Sequence, residues 1–334
     1  MSTVQVYIAG KIAGNLWLAW GALIIAFAIL AKCANVFVDS SVALANRFKI
    51  PRLVVGIVLV SLATTAPELA VSLMSALEGH PEMAFGNAIG SVICDDGLAL
   101  ALCGIVSVSP IPVIPHVLKT SGVFLVFIEI MAFVFVIRDY TLDRWEGAVL
   151  LALFVCYMVF LFVQHKKGEL GSDLDVPSHA DEKQMGMARL AGFFVLSLGG
   201  IIFASEFIIM SAEAIAVSFG IPSAVVAAVL VAFGTSVPEV ATCVAAARKG
   251  EGALAVGNII GADIMNICWV AGASAIANPL TLSKASLYFM FPWMFVIVGT
   301  MLVMLRMGYN LNRKKGILLF GVYVVYLISF FMKF

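Results

Sequence analysis

The sequence predicts an all-α polytopic membrane protein, with about ten transmembrane helices arranged as two inverted five-helix repeats. Three observations lead there. Apolar residues make up 62% of the 334-residue chain and charged residues only 12%, with a mean hydropathy of +1.08; soluble chains run at about 45–50% apolar and about 25% charged. The 20 Lys and Arg residues fall unevenly on the loops. A 46-residue segment recurs 171 positions later without a gap. The balance of 20 basic against 20 acidic residues, with no basic block, argues against nucleic-acid binding.

Apolar runs between breakers give the spans in order. The first, 15–38, follows Lys11 and reads as a retained span, since no small-residue cleavage site precedes it. The second, 53–77, starts after Pro51 and stops at Gly79; the third, 83–107, starts after Pro81 and stops before Pro110. The next two, 117–137 and 146–164, are separated by Arg138, Asp139 and Arg144. After a polar stretch come 187–217, then 224–247, which ends at Arg248, and 252–277, which ends before Pro279. The last two, 285–305 and 315–332, flank Arg306, Arg313 and Lys314. Cys33, Cys94, Cys103, Cys156, Cys243 and Cys268 all fall in these apolar runs and read as small hydrophobes, not as a disulfide framework.

Ten spans divide the basic residues 15 to 5 between the two faces. By the positive-inside rule both termini lie outside the cytoplasm, in the cell (plasma or inner) membrane. The polar stretch Gln164–Gln184 is too short for a folded regulatory domain and carries no EF-hand spacing. It reads as a cytoplasmic linker, 165–186, between halves 1–164 and 187–334.

The repeat cores, 50–96 and 221–267, contain 19 identities in 46 aligned positions starting at Ile50 and Ile221. Shared hydrophobicity does not supply Thr64/Thr235, Pro67/Pro238, Glu68/Glu239, Gly86/Gly257, Asn87/Asn258 or Gly90/Gly261. Equivalent spans lie five apart, an odd number, so the copies are inverted in the membrane. Secondary transporters commonly place their substrate site where two such copies meet.

Each copy carries two hydroxyls, a proline and a glutamate at mid-span: Thr64, Thr65, Pro67 and Glu68, then Thr235, Ser236, Pro238 and Glu239. Proline lacks an N–H, so it leaves the carbonyls of Ala63 and Gly234 without their helical donor. A carboxylate at membrane depth is costly unless neutralised. No Lys or Arg lies in these spans except at their ends, so bound cations or protons are the expected counter-charges. A Gly-Asn-x-x-Gly element follows in each copy, with Ser91, Asp95 and Asp96 after the first and Asp263 and Asn266 after the second. Ser91 and Asp95 are four apart and share a helix face. All these donors are oxygens, which suits hard cations such as Ca²⁺ and Na⁺. None of the four histidines lies in a span, which disfavours a soft-metal site.

These duplicated elements resemble the sodium/calcium exchanger branch of the calcium/cation antiporter family, in its prokaryotic form with two inverted repeats. The resemblance implies a membrane antiporter, not an enzyme, with no cofactor and with Ca²⁺ and Na⁺ (or H⁺ or K⁺) as the transported ions. It implies that Thr64, Glu68, Thr235 and Glu239 bind Ca²⁺. It implies that Ala63, Thr65, Ser91, Asp95, Gly234, Ser236 and Asn266 bind Na⁺ or another coupled cation. Asp96, Asp263, Glu206 and Glu213 are candidates for an ion path. The chain departs from the family pattern in carrying Asp95 and Asn266 where Asn and Asp are usual, and Ala262 and Asp263 where Ser and Asn are usual. The lipid bilayer is the only larger partner expected; no protein partner is inferred.

Alternating access is the expected mechanism, with the spans at 15–38 and 187–217 sliding across the core and hinges at Asn46–Arg52 and Phe219–Ser223. A cation/proton antiporter is the alternative, in which Glu68 or Asp95 alternates between Ca²⁺ and H⁺. A passive cation channel fits the inverted repeat less well. A membrane-embedded enzyme has no nucleophile–base pair, zinc motif or phosphate loop to support it.

Overall fold

The structure, a computed structural model, describes residues 15–48, 50–166, 186–219 and 233–333. Its helices are α1 (Leu16–Phe48), α2 (Arg52–Thr64), α3 (Ala66–Leu77), α4 (Pro81–Val106), α5 (Pro115–Ile137), α6 (Arg144–Lys166), α7 (Met187–Ser218), α8 (Val237–Arg248), α9 (Gly252–Ala277), α10 (Lys284–Arg306) and α11 (Arg313–Lys333). Among the described residues, eight helices are long and apolar enough to cross a membrane. A ninth span forms if α2 and α3, bent by 42° at Thr65, are taken together. Of the expected span 224–247, residues 224–232 lie outside the described residues, as do the linker 167–185 and residues 220–223 of the second hinge.

Helix α1 runs ten residues beyond its expected end. Ser40 and Ser41 donate their hydroxyls to the carbonyls of Val36 and Phe37, at 2.8 Å each, so the polar segment stays helical. Helices α3 and α8 both stop at a glycine with positive φ, Gly79 (+86°) and Gly250 (+78°). His80 N–H bonds to Ser75 O at 2.8 Å, and Glu251 N–H to Ala246 O at 2.8 Å. The left-handed glycine and this long backward bond form a helix C-cap in both copies, 171 positions apart.

The same offset relates two π-helical segments, Asp95–Leu100 in α4 and Asn266–Ala271 in α9. Two short antiparallel ladders add to the correspondence. Strand β1 (Ile111–Pro112) pairs with β4 (Asn310–Leu311), and β2 (Thr141–Leu142) pairs with β3 (Leu280–Thr281). Each ladder joins the two halves of the chain.

Helices α4 and α9 form the centre and are the most enclosed. They are packed by α2, α3 and α8. Helix α11 crosses to cover the end of α4, and α6 does the same for α9. Helices α1 and α7 run side by side at the periphery, with the rings of Phe37 and Phe194 4.7 Å apart. Large apolar side chains such as Trp17, Leu196, Val303 and Phe331 face outward, the surface that a bilayer covers.

Candidate functional site

The two bent segments build the centre. Thr65 and Ser236 have nearly identical backbone angles, φ −81°, ψ −2° and φ −82°, ψ 1°. A helix starts immediately after each, with Pro67 and Pro238 in its first turn, where an absent N–H costs nothing. The break therefore sits at the hydroxyl pair, not within a continuous helix. Glu68 and Glu239 fall in the same first turns, where the positive end of the helix dipole favours a carboxylate.

Both glutamates are fully buried. Neither carboxylate oxygen of Glu68 has a hydrogen-bond partner among the described residues, nor does Oε2 of Glu239. Thr65 donates to Oε1 of Glu239 at 3.4 Å. Glu68 is a repulsive neighbour of Glu239 and Asp95, and Asp95 of Glu239 and Asp96. Unneutralised, each buried carboxylate costs several kcal/mol.

Around the glutamates run two equivalent hydrogen-bond chains. In one, Thr64 donates to Asn258 Oδ1 at 3.3 Å, Asn258 donates to Cys243 Sγ at 3.6 Å, and the Cys243 thiol reaches Ala255 O at 3.6 Å. In the other, Thr235 donates to Asn87 Oδ1 at 3.1 Å, Asn87 donates to Ser72 Oγ at 3.0 Å, and Ser72 donates to Ala84 O at 3.1 Å. Every member has its counterpart 171 positions away. Each chain starts on the threonine of one repeat and ends in the other, so the two halves brace each other. A threonine hydroxyl that donates its proton to an asparagine keeps its lone pairs free to accept or to ligate. Cys243 is thus the counterpart of Ser72 in a polar network, not only the small hydrophobe expected from its apolar run.

The remaining predicted donors converge on the same region. Ser91 Oγ lies 3.5 Å from Thr235 Oγ1. Asn266 donates to Asp95 Oδ2 at 3.4 Å, which joins the two π-helical segments. Asp95 Oδ1, Asn266 Oδ1 and Ser236 Oγ have no partner among the described residues. Gly234 is buried and Ala63 partly buried beside them. Among the described residues no three His, Cys, Asp or Glu side chains surround one metal position by themselves, so a cation here draws on hydroxyl, amide and carbonyl oxygens as well.

Asp96 and Asp263 are fully buried and are near neighbours of each other. Glu206, by contrast, is exposed on α7 and does not join this buried region, and the side chain of Glu213 lies outside the described residues. Sequence reasoning missed Glu129, a fully enclosed acid in the middle of α5. Its signal was present, a single charge in the run Val123–Ile137, but α5 lies outside the repeat cores and alignment of the copies does not reach it.

A polytopic helical bundle with a buried, oxygen-lined, acidic centre between repeated elements defines an integral membrane ion transporter, not an enzyme. The family model described as sodium/calcium exchanger protein matches residues 18–163 and 189–332, and the chain belongs to that family. It is 29% identical over 342 aligned positions to sodium/calcium exchanger MaX1 of Methanosarcina acetivorans, covering 92% of this chain and 97% of that one. It is 31% identical to the inner membrane protein YrbG of Escherichia coli, covering 93% and 96%. Among solved structures it is similar to the sodium-calcium exchanger NCX_Mj soaked with Na⁺ and Sr²⁺, with TM-score 0.78 and 26% identity over 94% of this chain and 99% of that one.

Proposed function

We propose that this chain exchanges Ca²⁺ for Na⁺ by alternating access, at a site midway through the membrane. The observation that carries the proposal is the pair Glu68 and Glu239, equivalent, fully buried and short of partners. No Lys or Arg lies nearby on α3, α4 or α9, and α2 and α8 carry Arg52 and Arg248 only at their ends. In this reading Glu68, Glu239, Thr64 and Thr235 hold Ca²⁺. Thr65, Ser91, Asp95, Ser236 and Asn266, with the carbonyls of Ala63 and Gly234, hold Na⁺. An empty site leaves uncompensated carboxylates in a closed cavity, so the protein changes state only when loaded. That restriction couples the two fluxes.

The two halves, 1–164 and 187–334, take inverted orientations in the membrane, with 165–186 cytoplasmic and both termini on the opposite face. Cysteine labelling from each side of intact cells, at an introduced site in 165–186 and one near the C-terminus, tests that orientation. Helices α1 and α7 are the moving elements. The Lys249 ammonium, at the end of α8, holds Asp39 and the carbonyl of Asn35 on α1, and so ties α1 to the core on that side.

The function is tested by ⁴⁵Ca²⁺ uptake into proteoliposomes under imposed Na⁺, K⁺ or H⁺ gradients, one at a time. The expected result is uptake driven by an outward Na⁺ gradient and abolished by Glu68→Gln or Glu239→Gln. Wild-type flux in either variant would sink the site. Uptake driven by a pH gradient without Na⁺ would replace Na⁺ by H⁺ as the coupling ion.

A further inference from the structure

A cavity of about 220 Å³ lies between α1, α7 and α8. Helix α8 lines it with Val237, Val240, Ala241, Val244, Ala245 and Arg248, a stripe at helical spacing that runs from the first residue of the helix to the last. At about 1.5 Å per residue the stripe is about 16 Å long, close to half of the roughly 30 Å hydrocarbon core of a bilayer. Helix α1 faces it with Phe27, Ala31 and Asn35, all exposed at the lip. The Lys249 ammonium donates to Asn35 O at 2.9 Å, which places Asn35 at the Arg248 end. The cavity is therefore apolar along its length, polar at one end, and open to the surface that lipid covers.

The charge at the polar end is available. Lys249 is paired with Asp39 and Arg52 with Glu251, but Arg248 is exposed and has no acidic partner among the described residues. No acid lines the cavity. The other copy of the repeat lacks both features. At the offset of 171, Val240, Val244 and Ala245 correspond to the larger Leu69, Leu73 and Met74, Arg248 to Leu77, and Asn35 to Glu206. The equivalent faces of α3 and α7 thus carry bulkier side chains, no base and an added acid. Room for an apolar chain and a positive partner for its head occur together, on one side only.

We propose that an anionic phospholipid of the bilayer seats one acyl chain in this cavity, with its phosphate on Arg248. Lipid tails are as apolar as the lining, so entry gains no hydrophobic transfer energy. The gain is packing, because a wall without partner atoms forfeits its dispersion contacts. Selectivity comes from the head. A basic group at the end of a cavity between membrane helices favours anionic lipid, and a guanidinium matches phosphate in a bidentate geometry. In the exchange proposed above α1 moves past α8, and a seated chain opposes that motion; lipid binding itself does not rest on that reading.

The test is lipid retention by the purified full chain in detergent, read by native mass spectrometry with equal amounts of dioleoyl phosphatidylglycerol and dioleoyl phosphatidylcholine. The expected result is about one tightly held phosphatidylglycerol per chain. Arg248→Gln is expected to reduce the preference about fivefold, and Arg248→Lys to keep most of it. Val244→Leu with Ala245→Met installs the residues of the other copy and is expected to remove the tightly held lipid. Size-exclusion profiles identify a variant that does not fold, and Arg248→Gln, at an exposed helix end, reads the site independently of the filled cavity. Equal retention of the two lipids by the wild type would overturn the proposal and leave an apolar occupant of no fixed charge. A preference unchanged in Arg248→Gln, or a lipid still held by the monodisperse cavity-filled variant, would overturn it equally. Failure of Na⁺-driven flux in the wild type bears on the proposed exchange, not on this site.

Discussion

The hydroxyl of Thr65 donates to Glu239 Oε1 at 3.4 Å, across 174 positions of sequence. The bend that ends α2 thus supports the carboxylate that begins α8. Hydrogen bonds to charged groups contribute about 1.5–3 kcal/mol, and the length of this one puts it at the low end. Thr65→Val keeps the shape and removes the donor. The expected outcome is a half-saturating ion concentration about tenfold higher in flux assays, with Thr65→Ser close to wild type. An unchanged value in Thr65→Val would separate this contact from ion binding.

A second contact between the halves predicts a stability effect. Arg52 Nη1 lies 2.7 Å from Glu251 Oε2, with the side chains only 9% and 11% exposed. Arg52 opens α2 and Glu251 precedes α9. Removing one partner of a nearly buried pair costs about 3 kcal/mol, whereas replacing both by apolar residues is often neutral. Glu251→Gln is expected to lower the unfolding midpoint in detergent, and Arg52→Met with Glu251→Leu to recover most of it. A double-mutant cycle reads the coupling directly.

Much of this centre was legible in the sequence because it is duplicated. Thr64, Glu68 and Asn87 stand out only when laid over Thr235, Glu239 and Asn258, and the structure brings all six into one connected region. What the pattern does not encode is tertiary. The π-helical segments at Asp95 and Asn266 depend on packing between helices, not on local propensity. Ser72 and Cys243 look unrelated by residue type, yet they accept the same bond at equivalent places. Glu129 has no repeat partner to draw attention to it. Glu206 is an acid within a span yet is exposed; a 3.6-residue period alone does not say which side of α7 meets the core.

The crossing of α2 and α9 is set by small residues, which gives a packing prediction. A Cβ on Gly261 would lie 2.4 Å from Ile57 O and 2.6 Å from Ser61 Oγ. Neither can yield easily: one is backbone, and the Ser61 hydroxyl is itself bonded to the carbonyl of Ile57. Gly261→Ala must push α2 away from α9 and disturb Thr64 on the same helix. Overpacking of this kind costs about 1–3 kcal/mol. The expected outcome is a lower unfolding midpoint with weaker Ca²⁺-dependent stabilisation, measured by thermal unfolding with and without Ca²⁺.

The contact between Asp95 and Asn266 makes the sharpest prediction about ion coupling. Asn266 Nδ2 donates to Asp95 Oδ2 at 3.4 Å, while Asp95 Oδ1 and Asn266 Oδ1 remain without partners among the described residues. One negative charge and one amide donor meet here, from equivalent positions on the two π-helical segments. Asp95→Asn removes the charge and is expected to weaken coupling-ion dependence of Ca²⁺ flux about tenfold or more. Asn266→Asp instead sets two carboxylates against each other with no donor between them, so it should favour protonation and make flux more sensitive to acid pH. Asp95→Asn combined with Asn266→Asp restores one charge and one amide with their places exchanged. The double variant should therefore recover the coupling-ion dependence that Asp95→Asn weakens and lose the added acid sensitivity of Asn266→Asp. Recovery would show that the charge of the pair matters more than the repeat that carries it. A double variant as impaired as the worse single would show that the side on which the charge sits is itself part of the site.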